Sequence, residues 1–156
     1  MNVYTKSFEY MQTPVNQIVS LLGGKKIIKR EINNSLDWVF VAADGLPIIV
    51  LRNLQNKLSF SNKEISLFID MSESTFQRRI NANAKLTKDE SEKVIHLSTV
   101  IAKGLEVFEN TPDFKYWLET KNMALGGKTP TQLLPFSFGR EQIFDILGRI
   151  EHGIYS

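Results

Sequence analysis

Helix punctuation in the C-terminal third constrains this 156-residue chain more than any other feature. Residues 114–156 read FKYWLETKNMALGGKTPTQLLPFSFGREQIFDILGRIEHGIYS. Phe114, Tyr116, Trp117 and Leu118 predict an aromatic-rich helix that leads into a loop at Leu125-Gly126-Gly127. Thr129-Pro130 predicts the start of a short helix. Threonine's hydroxyl caps an orphan amide, and proline has no amide to lose at the first helical position. A third helix is predicted after Gly139, with Ile143, Ile146, Leu147 and Ile150 recurring on one face. Gly153 tolerates the left-handed conformation that ends such a helix. The pattern specifies compact helical hairpins and carries no catalytic signature.

The middle of the chain has equally clear start signals. Ser61 and Glu64 form a capping box, in which the side chain of each satisfies the other's backbone amide. Ile65, Phe68 and Ile69 supply an apolar stripe, and Ser66 is small enough for two helices to cross closely. Asp70-Met71-Ser72 predicts a tight turn, with Met71 as a buried plug and Ser72 capping a second helix. Asp70 stands where many such turns have glycine, and aspartate tolerates left-handed geometry better than most residues. The second helix turns Phe76 and Ile80 inward and leaves Ser74, Thr75, Gln77, Arg78 and Arg79 outward or at the rim. Two short helices, a tight turn and a polar, basic second helix make a helix-turn-helix plan. Ser72, Ser74, Thr75, Gln77, Arg78 and Arg79 are the candidate DNA contacts. Glutamine and arginine can pair with base edges, and hydroxyls with phosphates. A helical hairpin with a merely solvated face remains the alternative.

Elsewhere the chain is also read as helical. Residues 1–13 are polar and aromatic without a period, as in a mobile arm. Val15, Ile18, Val19 and Leu22 predict a helix that stops at Gly23-Gly24. Lys25-Lys26-Ile27-Ile28-Lys29-Arg30 is the densest basic run. It reads as a solvated face around a short apolar segment, or as an arm on a phosphate backbone. Residues 36–43 are rich enough in β-branched and aromatic side chains for a strand. A helix is preferred there because Asn33-Asn34-Ser35 offers caps and Asp44-Gly45-Leu46-Pro47 reads as a stop followed by a start. The next helix, from Ile48 to about Leu58, places Ile48, Leu51, Leu54 and Leu58 together. Thr87 and Glu90 then open a long helix over Lys88–Phe108, with Val94, Leu97, Val100, Ile101, Leu105, Val107 and Phe108 on its apolar face. Any domain boundary is expected at Glu109-Asn110-Thr111-Pro112. The fold class is all-α, with expected units at 1–35, 36–108 and 109–156.

Composition excludes more than it suggests. There is no cysteine, so disulfides, thiolate metal sites and cysteine nucleophiles are absent. His96 and His152 are the two histidines, with no cysteine to join them; no metal site, cofactor or catalytic residue is assigned. Gly126-Gly127 before Lys128-Thr129 lacks the strand and remaining glycines of a nucleotide loop. The start of the chain lacks the shape of a signal peptide, and no apolar run could span a bilayer, so a cytoplasmic protein without membrane contact is expected. Net charge is +2, which neither demands nor forbids nucleic acid. Residues 52–93 hold eight Lys/Arg against six Asp/Glu, whereas 94–156 hold six against seven, hinting at different partners.

Several motifs in order resemble a known family. Trp117-Leu118, Asn122, Ala124-Leu125-Gly126-Gly127, Thr129-Pro130, Leu133-Leu134, Gly139 and Leu147-Gly148-Arg149-Ile150-Glu151-His152-Gly153 are similar to the toxin-binding domain of the Xre/MbcA/ParS antitoxins. Gly45-Leu46-Pro47, Ser72-Glu73-Ser74-Thr75-Phe76-Gln77-Arg78-Arg79 and Leu86-Thr87 through Glu90-Ser91-Glu92 and Val94 resemble the Xre-like helix-turn-helix that precedes it. The resemblance implies a type II antitoxin that covers a RES-domain toxin, whose relatives consume NAD, and that represses its own operon through operator DNA. It also implies that the last helix and chain end lie near the toxin's cleft. By position, Arg149, Glu151, His152, Gly153, Ile154, Tyr155 and Ser156 become the candidate toxin contacts. Homodimerisation is expected, because two half-sites sharpen recognition by a small helix-turn-helix. Two other readings stay open: a stand-alone helix-turn-helix regulator without a toxin partner, and an antitoxin whose helix-turn-helix is only scaffold.

Overall fold

Side-chain caps set most of the helix starts in the computed structural model, which describes residues 15–153. The helices are α1 (Val15–Leu22), α2 (Ser35–Asp44), α3 (Ile49–Leu58), α4 (Asn62–Phe68), α5 (Glu73–Asn81), α6 (Lys88–Val107), α7 (Thr111–Leu118), α8 (Pro130–Leu133) and α9 (Ser137–Glu151). A 3-10 turn occupies Met123–Leu125. Full capping boxes open α2 (Asn34 with Asp37), α4 (Ser61 with Glu64), α6 (Thr87 with Glu90) and α8 (Thr129 with Gln132). Each cap satisfies amides that the helix itself leaves unpaired, typically stabilising by about 1 kcal/mol. Among the described residues the fold is all-helical, with isolated bridges at Pro47–Lys85 and Asn122–Lys128. The arm expected at 1–13 lies outside the described residues.

The ambiguous segment at 36–43 is helical, and its burial pattern explains the ambiguity. Trp38, Val41 and Ala42 face inward at helical spacing, while Leu36, Val39 and Phe40 remain exposed, so apolar residues lie on both faces. A two-sided apolar segment is what a strand-like composition reports.

α6 is the spine. Val94, Leu97, Val100 and Ile101 are fully buried, and α1, α2, α7 and α9 all pack against it. The polar residues in its middle are internally satisfied: Ser98 Oγ donates to the Val94 carbonyl and Thr99 Oγ1 to the Ile95 carbonyl. Leu46 N donates to Ser91 Oγ at 2.9 Å, tying the chain before α3 to the start of the spine.

Gly104 lets α7 approach the end of α6. A Cβ there would sit 1.9 Å from the Phe114 ring. Phe114 is fully buried and stacks near Phe108 and Trp117, at centroid distances of 5.6 and 6.3 Å. The sequence expectation for α9 needs correction. The helix begins at Ser137, so Gly139 lies in its first turn and does not precede it. Gly139 is required there by proximity, since a Cβ would meet the Leu133 carbonyl oxygen at 2.1 Å. Ile143, Ile146 and Leu147 are buried as expected, and Ile150 is half-buried. Gly126, Gly127 and Gly153 all have positive φ, and for Gly153 this is the left-handed conformation expected at the end of α9.

Candidate functional site

The first site is built on the α4–turn–α5 corner. Ser61 and Glu64 start α4, and Ser66 is buried where the helices cross, its hydroxyl donating to the Asn62 carbonyl. Asp70 adopts φ 59°, the left-handed turn geometry that the sequence required of it. Met71 N donates to the Ser66 carbonyl and closes the turn. Its side chain is half-buried against the core and does not form the fully buried plug expected. Ser72 caps α5 by accepting from Thr75 N at 3.1 Å. Phe76 anchors the helix in the core, with the Arg52 guanidinium 5.2 Å from its ring centroid. Ile80, expected inward, is half-buried at the edge of that anchor.

The outward residues of α5 divide into two groups. Ser72, Ser74, Gln77 and Arg78 are exposed, and Thr75 is half-buried beside the cap. Gln77 Nε2 donates to Asn81 Oδ1 at 3.1 Å, which holds the amide along the helix surface. Arg79 turns away from this face. Its guanidinium pairs with Glu90 at 3.0 Å and donates to the Lys85 carbonyl at 2.8 Å, bracing α5 against the start of α6. Burial alone pushes the Glu90 carboxyl up. The Arg79 hydrogen bond and charge, with the Thr87 cap, outweigh it and hold the carboxyl below its ordinary value.

The second site is the corner formed by α7, α8 and α9. Asn110 caps α7 by accepting from Asp113 N, and Pro112 occupies its first turn. Thr131 Oγ1 donates to the Leu118 carbonyl at 2.9 Å, joining α8 to the end of α7. Arg140, almost wholly buried, donates to the Leu134 carbonyl at 2.8 Å and joins α9 to the end of α8. Leu118, Leu125, Pro130 and Leu134 fill the corner's interior, and Trp117 is half-buried against it.

The predicted toxin contacts are only partly within the described residues. Arg149 is half-buried near the end of α9. Glu151 is exposed and accepts from Lys103 Nζ on α6, so one candidate contact already has an intrachain partner. His152 and Gly153 are exposed at the helix stop. Ile154, Tyr155 and Ser156 lie outside the described residues. His96 is half-buried on α6; burial, then the nearby Arg140 charge, pushes its imidazole below the ordinary value, against the pull of Glu92 and Glu141. No group of three or more His, Cys, Asp or Glu side chains among the described residues is placed to hold a metal ion.

Sequence reasoning missed two features. Lys115 on α7 reaches back to the first site. Its ammonium lies 4.1 Å from the Phe60 ring centroid, 3.9 Å from Glu64 and 3.3 Å from Glu119. Tyr116, Met123, Phe136 and Phe138 are exposed around the second corner. Phe138 falls outside the apolar stripe of α9 and Phe136 precedes the helix as its N-cap, and the mismatch at Phe138 was the available signal.

The described residues thus form a helix-turn-helix unit followed, after α6, by a small helical corner. Residues 37–98 match the antitoxin Xre-like helix-turn-helix domain, and residues 103–153 match the antitoxin Xre/MbcA/ParS C-terminal toxin-binding domain. An antitoxin Xre of Photorhabdus laumondii is 28% identical over 114 residues, covering 72% of this chain and 77% of that protein. An antitoxin Xre of Yersinia enterocolitica is 25% identical over 72% of this chain and 76% of its own. One from Pseudomonas putida is 30% identical over 51% of this chain and 50% of its own. A chain of the crystal structure of the M. tuberculosis MbcT–MbcA toxin–antitoxin complex superposes with a TM-score of 0.55 at 15% identity, covering 70% of this chain and 96% of that one. That last likeness is one of fold. The chain belongs to the Xre/MbcA/ParS family of antitoxins, with its Xre-like helix-turn-helix and its toxin-binding domain both present. No helix among the described residues is long and apolar enough to cross a membrane.

Proposed function

We propose that this antitoxin neutralises a RES-type, NAD-consuming toxin by direct binding through residues 109–156. It works in the cytoplasm, as a homodimer, and represses its own operon through α5. The observation that carries the toxin half is the match of residues 103–153 to a toxin-binding domain. The chain itself performs no chemistry in this reading; neutralisation is occlusion of the partner's cleft. Arg149, Glu151, His152, Gly153, Ile154, Tyr155 and Ser156 contact the toxin at the end of α9.

The DNA half draws support from the exposure of Ser72, Ser74, Gln77 and Arg78 on one short helix whose other face is anchored by Phe76. A helix so presented fits a major groove, with Arg78 and Gln77 toward base edges and the hydroxyls of Ser72, Ser74 and Thr75 toward phosphates. Arg79, braced on Glu90, contributes its position more than its charge.

Co-expression of the whole chain, or of a chain truncated after Arg149, with the protein of the adjacent reading frame tests the toxin half. Rescue of growth and of cellular NAD by the whole chain alone supports neutralisation through the tail. Rescue by both removes the tail from the interface. A harmless neighbour that does not co-purify removes it as partner and favours a regulator without a toxin. Binding to the promoter fragment across salt concentrations tests the DNA half. No binding even at low salt, where phosphate contacts are strongest, would leave the helix-turn-helix as scaffold.

A further inference from the structure

The nine exposed large apolar side chains among the described residues are not evenly distributed. Leu36, Val39, Phe40, Ile49 and Leu67, in the helix-turn-helix half, are at most 58% exposed. Phe136 at 61%, Tyr116 at 74%, Phe138 at 82% and Met123 at 90% exceed all of them. These four fall between residues 116 and 138, inside the match to the toxin-binding domain. Scattered surface leucines need no explanation, but two phenylalanines, a tyrosine and a methionine held out into water around one corner do. Aromatic residues and methionine are the types enriched at the centres of protein interfaces.

The corner's internal bonds fix the elements that carry these residues. The Thr131–Leu118 bond joins the base of the Met123 loop to the end of the helix carrying Tyr116. The Arg140–Leu134 bond sets the start of α9, with Phe136 at its N-cap and Phe138 in its first turn, against the end of α8. The core does not need their side chains: Leu118, Leu125, Leu134 and Ile143 already fill the interior. Exposed Lys121 and Lys128 flank the Met123 loop in the chain and add a polar margin to it.

We propose that this apolar corner is a second anchor for the toxin, at the opposite end of α9 from the tail. The proposal rests on the toxin-binding reading and deepens it. Fifteen residues of α9 separate the two anchors by about 22 Å. An ordinary protein interface buries about 800 Å² on each partner, which as a round patch is about 30 Å across. One toxin surface therefore reaches both ends. The tail occludes the cleft, and the corner supplies affinity and partner choice, because the toxin must offer apolar pockets for Met123 and the two phenylalanines. Nucleic acid is a poor occupant of an apolar patch with this sparse positive margin.

Calorimetric titration of the full chain with the protein of the adjacent reading frame tests this, using wild type, Met123→Ser and the double variant Phe136→Ser/Phe138→Ser. The expected result is affinity about tenfold or more weaker for each variant, with an unchanged melting temperature, as for side chains central to an interface. Unchanged affinity overturns the second anchor while leaving the toxin reading intact. Failure of the wild type to bind overturns both for that pair. Hydrogen–deuterium exchange on the unmodified chain decides independently of how the variants fold. Protection of residues 116–138 in the complex is expected, and protection confined to the end of α9 overturns the proposal. Sedimentation covers the remaining occupant. If the variants turn a dimer into a monomer while toxin affinity holds, the corner belongs to a second copy and the assignment falls.

Discussion

The α4–α5 corner and the α7–α9 corner lie on either side of α6 in the chain, yet they offer opposite chemistry to solvent. α5 presents hydroxyls, an amide and a guanidinium over a single buried aromatic anchor, Phe76. The α7–α9 corner presents Met123, Phe136 and Phe138 over an interior that is already complete. A polyanion is met by hydrogen bonds and charge, whereas a protein surface is met by apolar anchors that exclude water. The difference teaches that exposed side chains, more than helix geometry, distinguish the partners of two superficially similar helical hairpins.

The sharpest way to break the comparison is to remove one anchor from each side. Phe76→Ala and Phe114→Ala each delete a fully buried ring, and each is expected to cost about 3–5 kcal/mol in chemical denaturation. If the corners are separable in function, Phe76→Ala should lose operator binding first and Phe114→Ala toxin binding first, both read at a temperature where the chain remains folded. Loss of both activities together in each variant would mean that the corners fold and fail as one unit. Gly104→Ala is a smaller perturbation of the same kind. The added methyl enters the space of the Phe114 ring, and overpacking of this type costs about 1–3 kcal/mol, against a gain of about 1 kcal/mol in helix propensity. A net fall in melting temperature is expected; a rise would mean that α7 moves away freely.

The neighbouring arginines sharpen the account of α5. Arg78→Ala should weaken operator binding and lower its salt slope by about one phosphate contact. Arg79→Ala should lower stability by about 0.5 kcal/mol through the lost Glu90 pair, a partly exposed bridge, with less effect on the slope. Reversal of that order would place Arg79 on the DNA. The smallest effect concerns pH. Burial pushes the His96 imidazole below its ordinary value of 6.5, so its contribution to stability is complete above that value and is lost as pH falls through the depressed folded value. The melting temperature of the wild type should decline from pH 7 to pH 5.5, and His96→Gln should flatten part of that decline.

Local chemistry made most of the fold legible. Ser61–Glu64, Thr87–Glu90 and Thr129–Gln132 are capping boxes readable from spacing alone, and each starts the helix expected of it. Asp70 was readable as a left-handed residue because its neighbours demanded a turn. Long-range contacts were less accessible. Gly139 reads as punctuation until the Leu133 carbonyl is found against it. Arg79 reads only as an outward or rim residue until its guanidinium is found paired with Glu90. Lys115 gives no local hint that it spans to Phe60 and Glu64. The apolar corner was hidden by the resemblance itself, which directed attention to the chain end.

The two domain matches meet inside an unbroken helix. Residues 98–102 lie within α6, and Ser98, Thr99, Val100, Ile101 and Ala102 are all buried. Proteases cut where a chain can be drawn out into an extended strand, and this junction offers no such segment. Cleavage at the junction would first have to unfold α6, so a cut there destroys both matched units and does not release one from the other.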